Sequence, residues 1–285
     1  MLGLLFLFVT LNDASGAAHQ RGVDLYKEKK YGEAITVLEE AVKTEDPKTP
    51  RYSESVLLIG QSYFMLSQAP KAIPWLKKAP ASNEANYMLG FAYLQSKQED
   101  EAEAAFARLF GLDPKSAAGH LLAGQMMLKQ GYDAQAESEV TRALALDQRL
   151  PEARFLLAEM AIFRGRLDEA IGDLDAELTV DPNFSMAWYR RGDAYSRQGK
   201  WNLAIADLQR AIWLNPDFSG PYILLGKCYF KVQNYSNAEG ILKKGLALDP
   251  KNAAAIYTLG QTLMAEGKRD EGRAMLEKLK ELQQK

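Results

Sequence analysis

The chain has 285 residues, 47% of them hydrophobic, and carries 35 basic against 37 acidic side chains for a net charge of −2 at pH 7. That is enough apolar material for a core, with no long polar tract of the disordered kind. Balanced charge argues against a nucleic-acid surface, and one cysteine rules out an internal disulfide.

Residues 1–17, MLGLLFLFVTLNDASGA, differ from the rest of the chain. Residues 2–11 form an apolar run, about half the length that spans a bilayer. The run fits the core of a signal peptide, and the small residues after it suit cleavage behind Gly16 or Ala17. No Lys or Arg precedes it, and no Cys comes after it to carry a lipid. The expectation is an exported chain, periplasmic or secreted, with no stable membrane span. A cytoplasmic chain is expected if the run instead packs on the first helices of the protein.

From there the chain is periodic. A small residue recurs as Gly22, Gly60, Gly90, Gly124, Ala158, Gly192, Gly226 and Gly260, at intervals of 34 from Gly90 onward. A second recurs 12 residues behind each, as Ala34, Ala72, Ala102, Ala136, Ala170, Ala204, Ala238 and Gly272. Bulky residues accompany them at helical spacing, as with Trp188 and Tyr195 around Gly192, or Leu208 between Ala204 and Ala211. These spacings put each set on one face of a helix, so every period holds two short helices joined by a turn. Gly131, Gly165, Gly199 and Gly267 fall in that turn, where a left-handed residue ends a helix. Asp113-Pro114, Asp181-Pro182, Asn215-Pro216 and Asp249-Pro250 are expected to cap the next helix, with Pro at its first position.

In chain order the copies cover about 18–44, 54–80, 84–114, 117–147, 151–181, 185–215, 219–249 and 252–282. Residues 45–53 add an ordered loop to the first interval. The second copy carries Pro70 and Pro74 in its second helix, which predicts a short or kinked element there. The last copy ends in RDEGRAMLEKLKELQQK, charged on its outer side as a terminal unit must be.

The most regular copy, residues 186–216 (MAWYRRGDAYSRQGKWNLAIADLQRAIWLNP), resembles the tetratricopeptide repeat (TPR). The resemblance implies an all-α fold, an α-α superhelix (TPR solenoid) of about eight helix-turn-helix repeats. It also implies a non-enzymatic scaffold whose first helices line a concave groove for a peptide or protein segment. Laid on this register, the groove slots hold Tyr87, Phe91, Phe155, Tyr189, Ile223, Phe230 and Tyr257 as candidate binding residues. A polar row of Gln61, Gln125, Glu159, Asp193, Lys227 and Gln261 accompanies them. TPR proteins that grip an acidic C-terminus carry Lys, Asn and Arg here, whereas Arg190 and Lys227 are isolated, so that specificity is not expected.

No catalytic constellation emerges. His19 and His120, the two histidines, fall in first helices and read as packing or surface residues. Cys228 occupies a slot that holds Ala in other copies and reads as buried and inert. Asp168, Glu169, Asp173 and Asp175 lack the histidine or loop geometry of a metal site. The expectation is therefore no enzyme activity, no cofactor and no metal, with a protein or peptide partner in the bacterial envelope. The alternative is a homo-oligomer, a self-associating component of an envelope or secretion assembly.

Overall fold

The computed structural model describes the backbone of residues 2–283 and the side chains of residues 15–283. The described residues form sixteen helices and no strand. They pair as α1 (Leu2–Lys27) with α2 (Tyr31–Thr44), α3 (Pro50–Met65) with α4 (Ala69–Lys78), and α5 (Asn83–Gln95) with α6 (Glu99–Leu109). Next come α7 (Ala117–Leu128) with α8 (Asp133–Leu146), and α9 (Ala153–Phe163) with α10 (Leu167–Val180). The remaining pairs are α11 (Ser185–Arg197) with α12 (Trp201–Leu214), α13 (Ser219–Lys231) with α14 (Tyr235–Leu248), and α15 (Ala253–Ala265) with α16 (Arg269–Gln283). The chain divides into two compact units, residues 1–147 and 148–285, each holding four of these pairs.

The periodic small residues are where the backbones of a pair approach. A methyl group added at Gly60 would lie 2.8 Å from Leu76, and one at Gly192 would lie 2.9 Å from Leu208. Gly22, Gly90 and Gly226 meet Leu38, Phe106 and Leu242 in the same way, always sixteen residues on. The alanines that answer them, Ala34 through Ala238, are fully buried. Each core then borrows from the next pair: Ala204 and Leu208 pack with Leu225 and Cys228 of α13, and Ala238 and Leu242 with Ala255 and Leu259 of α15. Stability is accordingly a sum over neighbouring repeats.

The turn glycines behave as expected. Gly131, Gly165, Gly199 and Gly267 all have positive φ, as do Lys29, Ser67, Lys97 and Gln233 in the same slot of other copies. The second copy is short as expected: α4 has ten residues and holds Pro74.

The aspartate–proline steps act differently from the expectation. Asp181, Asn215 and Asp249 end the preceding second helices, and Pro182, Pro216 and Pro250 lie in the turn beyond. The next helices start three residues later and are capped by other residues, such as Ser116 accepting from Gly119 N–H and Asn252 from Ala255 N–H. The reason is the extended backbone that a proline imposes on the residue before it.

Most of the expected leader, residues 1–17, has side chains outside the described residues, and Met1 lies outside altogether. The backbone of α1 runs unbroken past Gly16 and Ala17. Ser15 is buried and donates to the Glu45 carboxylate, which also faces Arg51 at 3.4 Å. No described helix is long and apolar enough to cross a membrane.

Candidate functional site

Within each unit, successive first helices touch, as α1–α3–α5 and α9–α11–α13–α15. Among the described residues no comparable contact joins successive second helices. First helices therefore form the tight side of each stack, and the register slots on successive first helices make a strip along it.

In the second unit that strip carries Phe155, Tyr189, Ile223 and Tyr257, one from each first helix and 34 residues apart. Phe155, Tyr189 and Ile223 are half-buried, and Tyr257 is 47% exposed. Part of their burial comes from a repeated junction device. The Phe155 ring meets Phe184 at 4.8 Å and the Tyr189 ring meets Phe218 at 5.2 Å; Phe184 and Phe218 are the residues just before α11 and α13. Ile223 packs over the α14 backbone at Gly245. Phe230, half-buried, leans on Tyr235 across the turn at 5.7 Å.

The polar row lies beside them. Glu159 pairs with Arg190 at 2.7 Å, and Asp193 with Arg197 at 2.8 Å. Gln261 donates to the Tyr257 hydroxyl at 2.7 Å. Arg190 also lies over the Tyr189 ring, so the isolated cation in the sequence is spoken for by neighbours on two sides. Burial pushes the Glu159 carboxyl above the usual range, against the pull of Arg190. Glu159, Ile162, Phe163, Arg190 and Arg197 line a cavity of about 260 Å³, with Phe163 84% exposed at its edge. Phe163 is a functional candidate that the repeat register does not mark, because it lies at the end of α9, outside the periodic slots.

In the first unit Tyr87 is 38% exposed. Phe91 is a correction to the expected groove: it is only 5% exposed, wedged between Tyr87 at 4.8 Å and Phe106 at 4.9 Å. Phe106 fills the space that Gly90 opens, and Phe91 packs on Phe106 and so supports Tyr87 without offering a face of its own.

The lone thiol is buried, as expected. Cys228 is fully buried, and that burial pushes its pKa up to about 11. His19 is likewise internal, with Nδ1 2.8 Å from Ser55 Oγ and Nε2 3.2 Å from Glu54.

Paired helices stacked on a ladder of small residues, repeated along the chain, define an α-helical repeat protein. Four family models described as tetratricopeptide repeat match residues 19–87 and 128–185, 84–116, 185–218 and 232–285. The chain belongs to the tetratricopeptide repeat family. No curated protein sequence matches it. Among solved structures it is similar to YrrB, described as a TPR protein with an unusual peptide-binding site, at 21% identity and a TM-score of 0.57. That match covers 64% of this chain and 94% of YrrB. It is similar also to pilF of Pseudomonas aeruginosa (20% identity, TM-score 0.57, 70% of this chain and 91% of the other). MamA from Desulfovibrio magneticus RS-1 resembles it at 21% identity and a TM-score of 0.56, over 59% of this chain and 95% of that one. At these identities the likeness concerns the fold.

Proposed function

We propose that this chain is a non-enzymatic scaffold that holds a peptide or protein segment against the first-helix strip of its second unit. The observation that carries the reading is the 34-residue ladder Phe155, Tyr189, Ile223, Tyr257, whose last ring is 47% exposed and held by Gln261. An exposed aromatic ring held on a rigid scaffold, as Tyr257 is, binds with little loss of its own freedom. YrrB, described as peptide-binding, supports the same reading by analogy of fold. The apolar run of residues 2–11 supports an exported chain, with the partner in the bacterial envelope. N-terminal sequencing of the chain from envelope and soluble fractions tests that setting.

The strip is tested by capture from the envelope fraction with the parent chain and Tyr257→Ala. The variant is expected to lose the partner with a stability change within about 0.5 kcal/mol, as for other exposed positions. Tyr189→Ala is a poorer probe, because the ring's packing on Phe218 makes it cost stability as well. Equal capture by parent and Tyr257→Ala removes the strip from consideration. A particle that stays dimeric on dilution by light scattering, with Tyr257 shielded from modification, would favour self-association instead.

A further inference from the structure

Away from the strip, in the first unit, three helices of two successive repeats bring an imidazole and two carboxylates to one point. Glu103 comes from α6, His120 from α7 and Glu139 from α8. Both carboxylates are buried and the imidazole nearly so. His120 Nδ1 lies 2.7 Å from Glu139 Oε2 and 3.4 Å from Glu103 Oε1, and the three atoms lie within 4.8 Å of one another. The two remaining carboxylate oxygens face away from the ring toward one cation. Arg142 Nη1 is 3.0 Å from Glu139 Oε1 and 3.7 Å from Glu103 Oε2.

We propose that Glu103, His120 and Glu139 form a binding site for a divalent transition-metal ion of the zinc type, which pins the third repeat to the fourth. The argument is one of donor count. An imidazole Nδ1 carries at most one proton and can donate to only one carboxylate, yet two converge on it. A metal ion in the proton's place satisfies both. One imidazole and two carboxylates suit zinc, with water as a fourth ligand. Ligands about 2.0–2.2 Å from zinc in a tetrahedron lie about 3.3 Å apart. The 3.4 Å pair already has that spacing, and the 2.7 Å pair must open by a little over half an ångström. Arg142, on the outer oxygens, holds both carboxylates in orientation without occupying the inner ones. A cavity of about 450 Å³ lined by Asp100, Glu103, Asp113, Lys115 and His120 gives an entry path.

The next repeat shows what this slot looks like without a coordinating nitrogen. Thirty-four residues on, Arg154 stands in the place of His120 and Asp173 in that of Glu139, joined as an ion pair at 3.0 Å. His120→Arg should therefore fold and keep the charge pairing while losing the metal ligand.

The experiment uses the full chain, free of any histidine tag, with thermal melts and calorimetric titration of Zn2+, and Co2+ as a spectroscopic stand-in. Zn2+ is expected to raise the melting temperature of the parent, reversibly by chelator, and Co2+ to give the visible bands of a low-coordinate site. His120→Arg and Glu103→Gln should weaken binding by at least about tenfold, and His19→Gln should leave it unchanged. Absence of a Zn2+ response in the parent overturns the proposal. So does an undiminished response in His120→Arg, or an equal response to Mg2+, whose all-oxygen preference this donor set does not serve.

Discussion

Gly192 and Ala204 show how single residues set the geometry. A methyl at Gly192 would lie 2.9 Å from Leu208 Cγ and 3.4 Å from the Ala204 carbonyl oxygen. Leu208 and Ala204 are fully buried and have no room to retreat. Gly192→Ala and Ala204→Leu should each cost about 1–3 kcal/mol by overpacking, read from urea unfolding. A melt unchanged by Ala204→Leu would contradict the packing register. These positions were legible in the sequence because small residues recur at one interval. Phe91 was not: whether a large ring lies in or out depends on how far Phe106 and Tyr87 already fill the gap, and no period encodes that.

At the scale of the element, the turn inside each pair carries a residue with positive φ. Four copies place glycine there, and Gln233, with φ of 62°, occupies the slot between α13 and α14. A side chain in this conformation costs roughly 1–2 kcal/mol, partly offset by the greater freedom glycine regains when unfolded. Gln233→Gly is thus expected to stabilise the chain by up to about 1 kcal/mol, seen as a higher melting temperature. Helix starts obey a similar logic with more variety. Glu177, buried on α10, accepts from the N–H groups of Glu152 and Phe155 and so caps α9 from a distance. A cap drawn from 22 to 25 residues away leaves no local signature in the sequence.

At the scale of the molecule, stability is shared among junctions, and some junctions are electrostatic. Hydrogen bonds from Lys243, then Lys268, hold the Glu239 carboxyl down to about 2 and tie α14 to the turn before α16. An unfolded glutamate titrates near about 4.3. The folded value is depressed, so the stabilisation is present above about pH 4.3 and is lost as pH falls from there through about 2. Glu239→Gln should therefore flatten the loss of stability in that window and change little between neutral pH and its mildly acidic edge beyond a small constant offset. The effect is modest because the lysines face solvent. Urea unfolding at a series of pH values measures it.

The amino-acid sequence by itself determined the helix pair, its count, its turn and its family. Those features rest on local periodicity, since side chains three and four apart share a helix face and small residues recurring at fixed intervals mark a close approach. Tertiary structure alone decided which aromatic rings remain outside, as with Tyr257 against Phe91, and which charged groups meet, as with Glu103, His120 and Glu139. Burial and ion pairing are settled by the neighbouring repeat, whose contribution to any one position is a matter of volume and charge in space with no fixed interval along the chain.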